Sequence, residues 1–483
     1  MMQFNNKVLI IGYGSVSRCM LPVLLRHIKI PYENITIIDF IDKSKELRSW
    51  TRQGIRFFQE RITPININRV LAKYVSSKGL IIDLAWNIDC RDTLSWCHDN
   101  KVLYINTSIE EWDPYADLDR RTPFEKSLYF RHMGLHKMIS KWENGSATAI
   151  VDHGANPGLI SHFTKQGLID IARKVLREKD IRRKYAKNLE RLIAEKKFAN
   201  LSMELGVKLI HVSERDTQIT NRPKEVDEFV GTWSIEGLRE EGIAPAEMGW
   251  GTHEKDMPLF ANMPEYGPKN QIFLSQMGMN TWVRSWIPYQ EIIGMVIRHG
   301  EAFTISEALT VWKGGKLVYR PTVHYSYMPC NETLSSLHEL RCRKYELQPK
   351  CRIMSDEITK GEDILGALIM GHRYNSWWTG SILDIQESRR LVPHQNATTI
   401  QVAIGVVSAT MWMIGNPKKG FCVPDDLPHE YILKIAKPYL GRFVSEASDW
   451  TPFKNYKMFF KENPNSHLDK KNMWAFKNFL FRD

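Results

Sequence analysis

At 483 residues and 56.3 kDa the chain is too long for one simple core, so two or three domains are expected. Hydrophobic residues at 43% and charged residues at 25% are ordinary for a water-soluble globular protein, which excludes a fibrous chain or a long disordered tail. The formal net charge of +11 leaves nucleic acid or an anionic surface open as partners, but no RNP-like or helix-turn-helix signature accompanies it, so neither nucleic acid nor a membrane is expected.

The chain opens with "KVLIIGYGSVSRCMLPVLLRH". Its apolar run, Val8 to Ile11, is too short for a signal-peptide core and enters a glycine turn, so no export signal is read there. A strand, then G-x-G-x-x-[G/A/S], then a helix over Ser15 to His27 aims backbone N–H groups and the positive helix end at a pyrophosphate. Gly12 makes the tight turn, Gly14 allows close approach, and Ser17 is small enough to stand where a third glycine is usual. Further strands are predicted at Ile35 to Ile38, Ile55 to Phe58, Leu80 to Leu84, Val102 to Ile105 and Ala147 to Val151, with a helix over Val70 to Lys78. This alternation predicts an α/β fold, a Rossmann-type doubly wound parallel sheet over residues 1–152. Asp39 ends the second strand, where a carboxylate accepts both ribose hydroxyls of NAD and repels a 2′-phosphate, so NAD rather than NADP is expected. The cofactor-binding candidates are Gly12, Gly14, Ser15, Val16, Asp39, Thr107 and Asn156.

Three strand ends present polar groups to one rim: "AWNID" after Leu84, "NTSIEEW" after Ile105 and "DHGANPGL" after Val151. Asn156 serves there either as a ligand hydrogen-bonder or as a helix cap. The "HMGLH" pair, His132 and His136, lacks the zincin glutamate and reads as two surface helix histidines; no metal is assigned. Residues 153–483 read as a second α+β domain for substrate binding and dimerisation, whose C-terminal part is able to return onto the first. The stretch from Thr399 to Gly415 falls short of a roughly 20-residue span and predicts a buried helix. Lys174 to Lys197 reads as a solvated basic helix, and the lysine- and aromatic-rich segment from Phe453 to Asp483 as a docking tail. Seven cysteines, an odd number with no CxxC pair, fit a reducing cytoplasm.

Against the basic trend, "HVSERDTQ" and the run from Glu225 to Pro258 are acidic and carry tryptophan. A cationic amine would find Coulomb attraction from Glu214 and Glu241 there, and a cation–π face on Trp233.

The glycine turn, "NTSIEEW", "DHGANPGLISHF", "SERDTQ", "GTWSIEG", "MGWGTHEK", "IRHGEAFTI" and "MSDEITKGEDILGAL" together resemble the bacterial homospermidine synthases, relatives of the saccharopine dehydrogenases. The resemblance runs over nearly the whole chain. It implies a homodimeric transferase that makes sym-homospermidine from two putrescine molecules, or related diamines, releasing ammonia, with NAD as a retained hydride carrier. It further implies that Trp233 holds the substrate cation, that Glu110, Glu214, Glu241 and Asp363 bind ammonium groups or move protons, and that Asn156 and His299 complete the pocket. Glu111 competes with Glu110, and Asp356 and Glu357 with Asp363; the general base is left open. Two other readings stand beside this one. A saccharopine-dehydrogenase-like reductase of another amine or amino-acid adduct would call for arginine or lysine clamps on substrate carboxylates. A non-enzymatic NAD-responsive protein would use the basic helix and tail to engage RNA.

Overall fold

The computed structural model describes residues 2–117, 119–143, 145–456 and 468–481. The first lobe is built from β1 (Val8–Ile11), α1 (Ser15–His27), β2 (Ile35–Asp39), β3 (Arg56–Gln59), α2 (Ile67–Tyr74), β4 (Leu80–Asp83), α3 (Cys90–Asn100), β5 (Leu103–Asn106), α4 (Leu128–Ile139) and β6 (Ala149–Ile150). The four residues of each of β1, β4 and β5 are all buried, as apolar strands covered on both faces must be.

The second lobe contains α5 (Leu159–Leu176), β7 (Leu209–Asp216), α6 (Ile235–Ile243), β8 (Pro245–Gly249), β9 (Ala261–Asn262), β10 (Gln271–Met277), β11 (Trp282–Ile287), β12 (Gln290–Met295), α7 (Gly300–Ala308), β13 (Thr322–Met328), β14 (Glu362–His372), β15 (Asn375–Asp384), α8 (Ala397–Gly415), β16 (Phe421–Cys422) and β17 (Arg442–Ser448). Its mixed sheet runs β9-β10-β8-β13-β7-β14-β15-β17, and the β11–β12 hairpin joins it through β12 and β13. β7 lies parallel to β13 and antiparallel to β14, with Tyr327 opposite Glu214 and Asp363 opposite Asp216.

Among the described residues the first sheet has seven strands, ordered β16-β6-β5-β4-β1-β2-β3 and paired in parallel throughout. Its last strand, β16, comes from far down the chain and pairs Phe421 with Ala149 and Cys422 with Ile150. One hydrophobic core runs from Val8 and Ile10 of this sheet through α5 and α8 to Ile210 and Val212 of the other.

The helix α8 is long and apolar enough to cross a membrane by length and composition, with a mean hydropathy of 1.5 in its central window. Its side chains are nevertheless buried inside the protein, where it packs against α1. The basic stretch of 174–197 is broken: α5 ends at Leu176 and a new helix, Arg183–Ala194, follows a turn. Part of the basic aromatic tail, 457–467 and 482–483, lies outside the described residues.

The "HMGLH" reading is corrected in part. His132 is fully buried rather than on the surface, because α4 lies against α7 and the ring meets Phe303 at 4.5 Å between centroids. Among the described residues no group of three or more His, Cys, Asp or Glu is arranged to hold a metal ion.

The close fit of α8 against the 152–158 loop has a measurable consequence. A Cβ on Gly405 would stand 2.0 Å from the Gly154 carbonyl oxygen, a backbone atom that cannot step aside. Gly405→Ala is therefore expected to destabilise the fold by about 1–3 kcal/mol, despite the better helix propensity of alanine, as read by denaturant unfolding of the purified chain.

Candidate active site

A cavity of about 170 Å³ opens where the carboxyl ends of β4, β5 and β6 face α6, α7 and the middle of β7 and β13. A parallel sheet places its ligand-bearing loops at that edge. The glycine turn stands beside it. Gly12 has φ +84°, and a Cβ there would meet the Ala85 Cα at 3.0 Å, so only glycine lets β1 pass so close to the loop after β4. No atom lies within 4 Å of a Cβ placed on Gly14, and no side chain caps α1, so the first N–H groups of the helix face open space. Ser17 is buried, and its hydroxyl donates to the Gly12 carbonyl at 2.5 Å. This hydrogen bond gives Ser17 a use that a third glycine would not have. Asp39 accepts the Tyr13 N–H at 2.7 Å through one oxygen and the Ile41 N–H at 2.9 Å through the other, which leaves a lone pair on each for a ribose diol. Val16, Thr107 and Asn156 line the cavity, whereas Gly12 and Gly14 in the turn, Ser15 at the start of α1 and Asp39 at the end of β2 stand outside its lining. An open cradle at a helix start with an acid on the neighbouring strand fits a dinucleotide.

On the opposite wall β7 and β13 alternate their side chains, so Glu214, Tyr325 and Tyr327 cluster. Asn156 donates from Nδ2 to Glu214 Oε2 at 3.0 Å, and the Tyr325 hydroxyl donates to the same oxygen. Burial pushes Glu214 up to about 7, further than the Tyr325 hydrogen bond draws it back, and the charge of Asp216 adds to the rise. The Tyr325 and Tyr327 rings stack at 5.3 Å, and the Trp233 indole donates to the Tyr327 hydroxyl at 3.0 Å. Trp233 itself forms part of the cavity wall.

The helix α6, capped by Ser234 through the Gly237 N–H, brings two acids to the cavity, each with different partners. Glu240 is gripped by Arg131 at 2.7 Å, by Arg298 and by the Trp86 indole at 3.2 Å. Burial would raise Glu240, but the two guanidinium groups hold it below the usual carboxylate range. Glu241 accepts from His299 Nε2 at 2.8 Å, while Glu301 lies 3.4 Å from His299 Nδ1. Burial disfavours the imidazolium, yet those two carboxylates outweigh it and hold His299 well above the ordinary histidine range. On the rim loop Glu110 accepts from Ser108 at 2.6 Å, and its other oxygen has no partner. Removal from water, with the Glu240 charge nearby, pushes Glu110 up to about 8.

The acids left open by sequence separate. Glu110 lines the cavity, whereas Glu111 is taken up by Arg121 at 3.0 Å and Arg131 at 3.5 Å. Asp356 pairs with His394 at the surface and Glu357 with Arg352. Asp363 is fully buried but does not reach the cavity, because Thr398 stands between and donates to it at 2.6 Å. The structure also brings in Tyr325 and Arg131, which lie outside the stretches marked in the sequence, and Trp86, Asp152, Glu240 and Arg298, which lie inside them but are not distinguished there from their neighbours. Only the register of β13 against β7 aligns the tyrosines with Glu214.

Comparison with known proteins follows from this geometry. Residues 8–150 match the family described as "Saccharopine dehydrogenase NADP binding domain", and residues 154–449 match the "Saccharopine dehydrogenase C-terminal domain". A homospermidine synthase of Blastochloris viridis is 36% identical, with 100% of this chain and 98% of that protein covered. One from Mesorhizobium japonicum is also 36% identical over 99% of this chain and 97% of its own length. The crystal structure of a homospermidine synthase from Legionella pneumophila in complex with NAD is 35% identical, covers 100% of this chain and 99% of that one, and superposes with a TM-score of 0.86.

Glu110 makes the site pH-sensitive. A carboxyl whose proton is held more tightly in the folded than in the unfolded chain gives ∂ΔG/∂pH a negative sign between its ordinary value of about 4.5 and its folded value of about 8. Stability from this group is thus full below that window and lost as pH rises through it. Glu110→Gln is expected to raise the melting midpoint at pH 8.5 relative to the parent and to leave it little changed at pH 5; equal shifts at both would show that Glu110 does not titrate in that window.

Proposed function

The chain belongs to the homospermidine synthases of the saccharopine dehydrogenase family, and we propose that it joins two putrescine molecules into sym-homospermidine with release of ammonia. The observation that carries the reading is the cavity's lining of carboxyl groups. Glu110, Glu214, Glu241 and Asp152 line it beside the face of Trp233, and its two arginines, Arg131 and Arg298, are both engaged by Glu240. Such a wall suits a diammonium chain and offers no free guanidinium to a substrate carboxylate.

A putrescine ammonium must lose a proton before hydride can leave the carbon beside it, and its pKa is near the ~10.4 of a lysine amine. Glu214 is the base we assign. Held near neutrality by burial, and anchored by Asn156 and Tyr325 on one oxygen, it keeps the other for the amine. Trp233 lays its ring along the chain of the diamine and attracts the far ammonium, with Glu241 beside it, while Glu110, pushed up to about 8, faces the same space as a largely neutral hydrogen-bonding carboxyl. NAD, held by the Gly12–Gly14 turn and Asp39, supplies the hydride acceptor and, once reduced, the hydride donor. The enclosing wall of Leu84, Ala85 and Val402 keeps water from the imine, which would otherwise hydrolyse to an aldehyde.

The working unit we propose is a homodimer in a reducing cytoplasm. Exposed Leu259 and Phe260, which lead into edge strand β9, give the second lobe an apolar surface for another copy, and all seven cysteines are free thiols.

Putrescine deuterated at the carbons beside nitrogen should give homospermidine that keeps the transferred deuterium, even with excess unlabelled NADH in solution. Mass spectrometry of the product decides this, and label lost to the pool would replace a retained carrier with an ordinary dehydrogenase. For Trp233, a cation–π contribution of about 0.5–2 kcal/mol means that Trp233→Phe should keep partial activity while Trp233→Ala loses most of it. Equal kcat/KM in the two variants would make Trp233 a packing residue.

A further inference from the structure

The mechanism above leaves one carboxylate of the cavity without a task. Asp152 follows β6, has φ +58°, and is 2% exposed, yet it lines the cavity. Its backbone N–H donates to the Asn106 side chain at 3.0 Å, while its Oδ2 makes no hydrogen bond and lies 3.2 Å from His132 Nε2. Both ring nitrogens of the fully buried His132 lack a hydrogen-bonded partner. A buried imidazole left so is costly, and a cost of that kind in a folded protein calls for a reason.

A second observation places the pair. The Asp152 carboxylate occupies the space that a side chain on Gly300 would fill: a Cβ there would stand 2.3 Å from Oδ2. Gly300 follows His299, so two carboxylate–imidazole pairs, Glu241 with His299 and Asp152 with His132, meet at the start of α7. The other cavity carboxylates are engaged: Glu214 by Asn156 and Tyr325, Glu240 by two arginines and Trp86, Glu241 by His299, and Glu110 by Ser108. Asp152 differs from them in that its side chain makes no hydrogen bond, and the imidazole of His132 stands behind it.

We propose that Asp152, oriented by His132, carries the proton that must move during exchange of the two amines. This rests on the reading under Proposed function. When the second amine attacks the imine carbon a C–N bond forms and the incoming nitrogen becomes a secondary ammonium. Asp152 accepts one proton from it and returns that proton to the primary nitrogen on the same carbon. The bond to that nitrogen then breaks, its electron pair leaves with ammonia, and the new Schiff base remains. Nothing is oxidised or reduced in this exchange, so it is separable from hydride removal. Asp152 is thus a catalytic residue and His132 a positioning residue. Gly300 is a space that neither can do without.

The test uses the full-length protein with its bound dinucleotide. In the parent, putrescine should yield homospermidine; if it does not, the proposed function fails and the inference falls with it. In Asp152→Asn, the 340 nm absorbance that reports hydride removal in a single turnover should stay within about threefold of the parent. Homospermidine should fall by about 100-fold, the lower end of what general acid–base groups contribute, and reduced dinucleotide should accumulate. His132→Gln should show the same split more weakly. Gly300→Ala removes no functional group, and the clashing atom is the far end of a flexible side chain, so the fold should survive while the carboxylate is pushed aside. It should reproduce the split, and it decides the matter if Asp152→Asn does not fold. Equal loss of the 340 nm signal and of product, or full coupling in Gly300→Ala, would overturn the proposal.

Discussion

The hydrogen bond from Asn156 to Glu214 is the contact on which the site depends, because it ties the loop after the parallel sheet to the middle strand of the mixed sheet. A carboxylate moved from water into an apolar interior costs several kcal/mol unless donors surround it. Glu214 is tolerable where it stands because one oxygen receives both the Asn156 amide and the Tyr325 hydroxyl. The same arrangement leaves it short of full compensation, which is why its proton affinity rises into the neutral range rather than falling. A carboxyl left in that state is well suited to exchange a proton with an amine.

That contact requires the two lobes to approach closely, and small residues allow it. The Gly154 carbonyl sits against Gly405 of α8, and α8 in turn packs along α1, the helix that the glycine turn begins. The dinucleotide turn and the substrate wall are therefore held by one core helix contributed from late in the chain. The sheet order makes the same point, since β16 completes the parallel sheet beside β6 after more than 250 residues of the second lobe.

Much of the first lobe was legible because its strands are short apolar runs between turn signals and its glycines sit between a strand and a helix. The observed β1 and α1 coincide with the residues read from periodicity, and other elements differ by a few residues at their ends: Ala147 to Val151 shortens to Ala149–Ile150, and Val70 to Lys78 moves back to Ile67–Tyr74. Acidic candidates in the second lobe could be enumerated but not sorted. Glu110 and Glu111 are neighbours in sequence and differ only in that Arg121 and Arg131 reach one of them, a fact of tertiary packing. Asp363 looks like any other acid in "GEDILGAL" until Thr398, from another element, is seen to stand in front of it. His132 misled for a related reason. The pattern of α4 is nearly apolar on all sides, so nothing in it marks which face α7 will cover.

The overall charge and the site's charge have opposite signs, and the two act over different ranges. With a formal +11, the protein at long range repels a dication, but at physiological ionic strength that field decays over about 8 Å. Inside the cavity the carboxyl groups are largely removed from bulk water, so whatever charge they keep acts at short range through an effective dielectric below that of water. The arginines there do not offset this attraction, because Arg131 and Arg298 spend their charge on Glu240. A diamine is therefore drawn in by local carboxylates rather than steered by the whole surface. Once inside, each of its nitrogens must find a carboxylate before it can shed water. Neighbouring acids with different proton affinities follow from that need: those that keep a negative charge hold an ammonium, and those pushed toward neutrality take its proton.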